Sequence, residues 1–365
     1  MAKGDVSKLA AVKISGDRAR KPTLELASPG VSLRHLSSAT FAGADSLITV
    51  SESDGRAAFN LLNLSTFDSL QLTAPAPVAA DSAWFSPRSR EIFYWQETAL
   101  KSVNIDTLEE TVVYGAGYQG GRLSVSSDAR LVAFGAESTV VPGLGPDLAG
   151  RWALMLVSAR GEGSHPILTV PFKIGRVEFS PADPDCLTYT WAGHWSNVPQ
   201  RIWWTDASGL EGGPLGRQNP NETRGGAYFA ASGDTLAYHG SKYHIRRTDS
   251  GFFLEETAWL VGLTDFYGTD DRQFYCPGPT GRCRVSPDGS QFVCDLGGAF
   301  VPEHRSVALV HVDSDKGVFE PLFFLGAPAK SALALPRPQF SPDASQVVFS
   351  AASNGSSNIY LTSLK

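Results

Sequence analysis

Short apolar stretches recur along the whole chain, each bracketed by Ser, Pro, Asp or Gly. Ser46-Leu47-Ile48-Thr49-Val50, Arg130-Leu131-Val132-Ala133-Phe134, Gln291-Phe292-Val293-Cys294 and Gln346-Val347-Val348-Phe349 are typical. They are rich in β-branched and aromatic residues and too short for helices, so they predict strands. Gly 36 and Pro 23 supply frequent turns and argue against long helices.

The strands follow a repeated pattern. Val285-Ser286-Pro287-Asp288-Gly289 and Phe340-Ser341-Pro342-Asp343-Ala344 are near copies. Weaker copies begin at Phe41, Phe85, Val125, Phe179 and Phe229. The seven anchors lie 44, 40, 54, 50, 56 and 55 residues apart. In each copy a strand ends at the anchor, a tight Ser/Pro/Asp/Gly turn follows, and further strands come next. Four strands per unit of this length is a propeller blade, so the expected fold is all-β, a seven-bladed β-propeller. Two separate all-β domains would also hold this many strands, but the even period favours one propeller. The expected division is an N-terminal extension over 1–26 and a single propeller over 27–365. The last copy has room for three strands, so an N-terminal strand near Val31-Ser32-Leu33-Arg34-His35-Leu36 is expected to complete it and remove a sheet edge.

Composition narrows the chemistry. The chain has 365 residues, 42% hydrophobic and 19% charged, enough for a large core and against disorder. Its formal net charge of −6 gives no global signature of nucleic-acid or membrane binding. No apolar run is long enough to span a bilayer and the N-terminus has no secretory pattern, so a cytoplasmic protein is expected. Cys186, Cys276, Cys283 and Cys294 lack zinc spacing; reduced, mostly buried thiols are expected, and a pair such as Cys276 with Cys283 would bridge only in an oxidising compartment.

In a propeller the innermost strands open at the channel mouth. Three residues before the anchors stand Ser38, Ser82, Arg122, Arg176, Gly226, Arg282 and Arg337, with Arg224 and Arg284 nearby. Four Arg among seven is far above the share of Arg in the chain. The functional expectation is a set of guanidinium groups that binds carboxylates, sulfates or phosphates; the plainer alternative is that they pair with Asp or Glu and hold blades together. The seven histidines show no metal-ligand spacing, so no metal site is read from them. His194, in Trp191-Ala192-Gly193-His194-Trp195, is a possible general acid or base. Gly115-Ala116-Gly117-Tyr118-Gln119-Gly120 matches a dinucleotide-binding string, but a strand follows where the phosphate would need a helix.

Leu187-Thr188-Tyr189-Thr190-Trp191-Ala192-Gly193-His194-Trp195 with Val198-Pro199-Gln200-Arg201-Ile202-Trp203 resembles the oligogalacturonate lyases, polysaccharide lyase family 22. Arg282-Cys283 ahead of Asp288-Gly289 adds to the likeness. The resemblance implies a seven-bladed propeller that cleaves acidic, uronate-containing oligosaccharides by β-elimination. It places Arg201 on the family's base. The family's Mn²⁺ is held by His and Gln, and those positions align near Gly226 and with Arg282, Ala332, Leu335 and Arg337. No ligand is kept, so no cofactor is expected. Either Arg282 and Arg337 neutralise the substrate carboxylate in place of the metal, or the propeller only binds an acidic carbohydrate or a protein partner. Because a neutral guanidine is scarce near neutral pH, His194, Tyr238 or Tyr243 are alternative bases.

Overall fold

The computed structural model describes the chain from residue 41 onward, apart from 54, 67, 80–81, 145, 195–196, 249–250, 277, 298–304, 313–317, 326–336, 354–355 and 365, together with Leu24–Leu26 and Ser32–His35. Seven antiparallel sheets succeed one another, six of four strands and one of five. This is a seven-bladed β-propeller. Among the described residues no helix is long and apolar enough to cross a membrane.

The chain divides into two compact units. The unit Leu33–Arg217 holds the first four blades. Their inner strands end at Phe41–Gly43, Trp84–Ser86, Ser124–Val125 and Ile174–Phe179. The other unit holds the fifth to seventh, with inner strands Glu222–Phe229, Thr280–Val285 and Gln339–Phe340. Every anchor read from the sequence falls in one of these inner strands. Leu24–Leu26 completes the seventh blade, with Leu24 opposite Leu361 and Leu26 opposite Ile359. The segment expected to do this, around Val31–Leu36, instead supplies Ser32–His35 to the first blade beside Ser46–Ser53. The fifth blade departs from the repeat: Thr235–Thr248 and Gly251–Asp265 pair along their whole length and outrun their neighbours as a two-stranded ribbon.

Burial explains the apolar runs. Ile92, Phe93, Tyr94 and Trp95 are all at or below 1% exposure, because a central strand is covered by the adjacent blade on each face. One face packs with Ile48, Phe59 and Phe85, the other with Val132, Phe134 and Met155. In the other unit Phe292 and Cys294 pack against Val261 and Phe274, and Val293 and Val307 against Phe349 and Tyr360.

The Ser-x-Asp turns are chemically alike. Ser126, Ser286 and Ser341 each donate to Asp128, Asp288 and Asp343 at 2.7, 2.5 and 2.6 Å. Each serine hydroxyl also accepts the amide of the residue opening the next strand, Leu131, Gln291 or Gln346. The fourth turn position is left-handed, at Ala129, Gly289 and Ala344 with φ of 62°, 73° and 56°. These bonds hold all three carboxyls below the usual carboxylate range, Asp343 to about 2.

Cys283 lies directly opposite Cys294 on the neighbouring strand, Cα to Cα 4.1 Å, and the two form a disulfide. This corrects the expectation of four reduced thiols. Close cross-strand pairing brings the two Cα atoms within bridging distance. Cys186 and Cys276 are free.

Candidate functional site

The position three before the anchor is a structural position as well as a sequence one. In the fourth, fifth and sixth blades the register of the inner strand slips between Ile174 and Val177, Gly225 and Tyr228, and Thr280 and Cys283. Arg176, Gly226 and Arg282 therefore sit in β-bulges, which re-aim a side chain out of the ladder. A glycine precedes each, and precedes Arg122 too. A Cβ at Gly121 would lie 3.1 Å from the Gly135 carbonyl, and one at Gly175 3.1 Å from the Ala192 side chain. The chain runs close to its neighbour at both positions, tighter than most side-chain contacts.

The expected arginines nonetheless have different surroundings. Arg176 is ion-paired to Glu178 at 2.5 Å, both nearly buried. Arg224 is 1% exposed. It donates to Glu222 at 2.6 Å and to Asp271 at 2.5 Å, and lies 4.3 Å over the Tyr238 ring. Burial works to lower its pKa, but Tyr238, Glu222 and Asp271 prevail and raise it. Arg224 was expected to bind substrate; the structure seals it inside the fifth blade, where two carboxylates hold it. Arg282 and Arg337 are half-buried at the start of the sixth and seventh blades, and Arg122 is half-buried ahead of the third blade's inner strand.

Arg201 stands just before Ile202–Asp206. Its guanidinium donates to the carbonyls of Trp191 at 2.8 Å and Gly193 at 3.1 Å. Burial lowers its pKa. The neighbouring Gln200 amide fixes this corner, donating to the carbonyls of Ile202 and Gly216 at 2.9 and 3.0 Å. Beneath it Phe172 stacks on Trp191 with ring centres 4.4 Å apart. His194 follows Gly193 directly and is exposed, so Arg201 and His194, expected as base and as acid or base, lie on one loop. Trp195 lies outside the described residues.

The two tyrosines considered as bases are poorly suited to it. Tyr238 is fully buried, donates to Asp271 at 2.5 Å, and has its phenol pKa pushed up by burial and by that bond. Tyr243 is buried and donates to the Pro220 carbonyl, and burial, with Glu222 nearby, raises its pKa as well.

The positions aligned with the family's metal ligands do not fit Mn²⁺. Gly226 has φ of 58°, and a Cβ there would meet the Tyr228 hydroxyl at 2.3 Å and the His239 ring at 2.4 Å. Arg282 and Arg337 are cations, and Ala332 and Leu335 lie outside the described residues. Among the described residues no three His, Cys, Asp or Glu side chains gather as metal ligands would.

Sequence reasoning missed a cavity of about 460 Å³ in the unit Leu33–Arg217. Arg122, Lys173, Glu137 and Trp152 line it, with Tyr118 and Ser82. Lys173 lies three residues before Arg176, so a search for cations around the Gly-Arg pairs would have found it.

Solved structures share this architecture. An oligogalacturonate lyase in complex with manganese superposes with a TM-score of 0.76 at 20% identity, covering 93% of this chain and 92% of its own. An oligogalacturonate lyase from Vibrio parahaemolyticus gives 0.78 at 19% identity, covering 100% and 99%. The chain has the oligogalacturonate lyase fold. A putative TolB from Agrobacterium tumefaciens is more distant, with a TM-score of 0.51 at 16% identity over 86% of this chain and 100% of its own. No protein-family model and no curated protein sequence matches the chain.

Proposed function

We propose that this protein cleaves an acidic, uronate-containing oligosaccharide by β-elimination without a metal. Arg201 takes the proton from C5 of the uronate. The electron pair forms the C4–C5 double bond, and the C4–O bond to the next sugar breaks. The departing oxygen takes up a proton, for which His194 is the candidate donor. Arginine in place of the metal counters the carboxylate charge that builds up as the proton leaves. The observation that carries this reading is Arg201: a guanidinium held on the carbonyls of Trp191 and Gly193, on the same loop as the exposed His194. An ordinary guanidinium stays protonated up to a pH of about 12; burial lowers the Arg201 pKa, the direction a base requires.

A second reading is a propeller that binds the acidic sugar and leaves it intact. The misfit of the metal positions favours it, since the resemblance assigns carboxylate neutralisation to that ion. The Cys283–Cys294 bridge favours an oxidising compartment over the cytoplasm expected from the sequence.

The test is ultraviolet absorbance of the conjugated double bond on incubation with polygalacturonate, glucuronan and their oligomers. Cleavage by the wild type and its loss in Arg201→Ala support the lyase. Binding of a uronate with no absorbance rise supports the second reading.

A further inference from the structure

We propose that the cavity lined by Arg122, Lys173 and Trp152 is a subsite that seats one uronate ring of the oligosaccharide, beside the ring acted on at Arg201. This deepens the functional reading above and rests on it for the identity of the ligand.

The size suits a sugar. A cavity of about 460 Å³ lies within the roughly 300–1,000 Å³ typical of small-molecule sites. Glycines pack closely against the core beneath its floor. A Cβ at Gly120 would strike the Phe134 and Trp95 rings at 2.5 and 2.6 Å, and one at Gly135 would strike Ile174 at 2.7 Å. Any larger residue at either position would disturb the packing under the floor.

The lining suits an acidic sugar in particular. Arg122, Lys173 and Glu137 line the cavity, and the exposed Lys173 ammonium is placed to meet an anion. The Lys173 ammonium lies 5.3 Å from the centre of the Trp152 ring. A pyranose carries C–H bonds on its faces and, in a uronate, a carboxylate at its rim. Trp152 offers an apolar plane for the first, and Lys173 and Arg122 offer donors for the second. Glu137 accepts from ring hydroxyls, which a phosphate lacks.

The cavity is tied to the Arg201 loop by the backbone. The Lys173 carbonyl accepts the Ala192 amide at 2.8 Å, and Ala192 lies between Trp191 and Gly193, the two residues whose carbonyls hold Arg201.

The experiment is calorimetric titration of trigalacturonate, with its neutral methyl ester as control, into wild type, Lys173→Met and Trp152→Leu. Thermal melts establish that each variant is folded. Lys173 is exposed, so its variant keeps the fold if Trp152→Leu does not. The expected result is binding of the acid at least about tenfold weaker in Lys173→Met, the worth of one charge-assisted hydrogen bond, with the ester bound weakly by both. Equal binding of the acid by wild type and Lys173→Met overturns the subsite, even where cleavage is intact. No binding of trigalacturonate by wild type also overturns it. Weakened binding in the variant with no cleavage by any form leaves the subsite standing and removes the lyase reading.

Discussion

Arg224 donates to Asp271 across 47 residues of sequence, at 2.5 Å. Together with Glu222 and Tyr238 this pair ties the inner strand of the fifth blade to its outermost strand. Gln273 joins by donating to Glu222 and to the Tyr238 hydroxyl, both at 3.1 Å. A charge so placed works for the blade and not for a ligand.

Arg224→Met is therefore expected to destabilise the protein by about 3–5 kcal/mol, because it leaves Glu222 buried without its cation. Binding of trigalacturonate by the protein that remains folded is expected to be unchanged. Denaturant unfolding and titration on the same preparation check both halves. A stable variant with weakened binding would return Arg224 to the substrate site.

Acid should loosen the blade turns. The folded pKa values of Asp128, Asp288 and Asp343 lie below the unfolded carboxylate value, so their contribution is complete above that value, near 4, and is lost as pH falls through the folded pKa. For Asp343 the loss extends to about pH 2. Melting temperature followed between pH 5 and pH 2 should fall, and the fall should be shallower in Asp343→Asn. Equal slopes in the two proteins would mean that the turn carboxylates do not set acid stability.

Much of the fold was legible because turn chemistry is local. Ser286, Asp288 and Gly289 lie within four residues, and their bonds are written in that order of residues. The anchors inherit their position from the same turns. The closing strand was misplaced because Leu24-Glu25-Leu26 is only three residues long and carries no turn signal of its own. The candidate site was legible in part. Arg201 and His194 were found on one loop, since both belong to one motif. The neutralisation of Arg176 by Glu178, two residues along the strand, was within reach of the sequence. The partner of Arg224 was not, because Asp271 is brought to it only by the order of strands in the fifth blade. Register also decides the disulfide, which joins Cys283 to Cys294 and leaves Cys276 buried and free.

The bridge has a direct chemical count. Denatured, unreduced protein should show two titratable thiols, Cys186 and Cys276, and four after reduction. Removing the bridge with Cys283→Ser and Cys294→Ser together is expected to cost about 2–4 kcal/mol of unfolding free energy. Four thiols without reductant would contradict the pairing.

Arg201 should govern turnover and not binding. Its replacement by Ala is expected to lower kcat by about 10²–10⁴-fold, the usual worth of a positioned base, while trigalacturonate still binds. In the wild type kcat should climb with pH on the alkaline side, since only the neutral guanidine accepts a proton and burial lowers the pKa. A profile that falls above neutrality would point to His194 or another group as the base.

The central claim is elimination driven by arginine without a metal. It is tested most directly by following double-bond absorbance on oligogalacturonates with protein stripped by EDTA, and with Arg282→Ala and Arg337→Ala alongside. The account predicts full activity in the stripped wild type and a sharp loss in both variants. Activity abolished by the chelator and restored by Mn²⁺, with both variants as active as wild type, would contradict it.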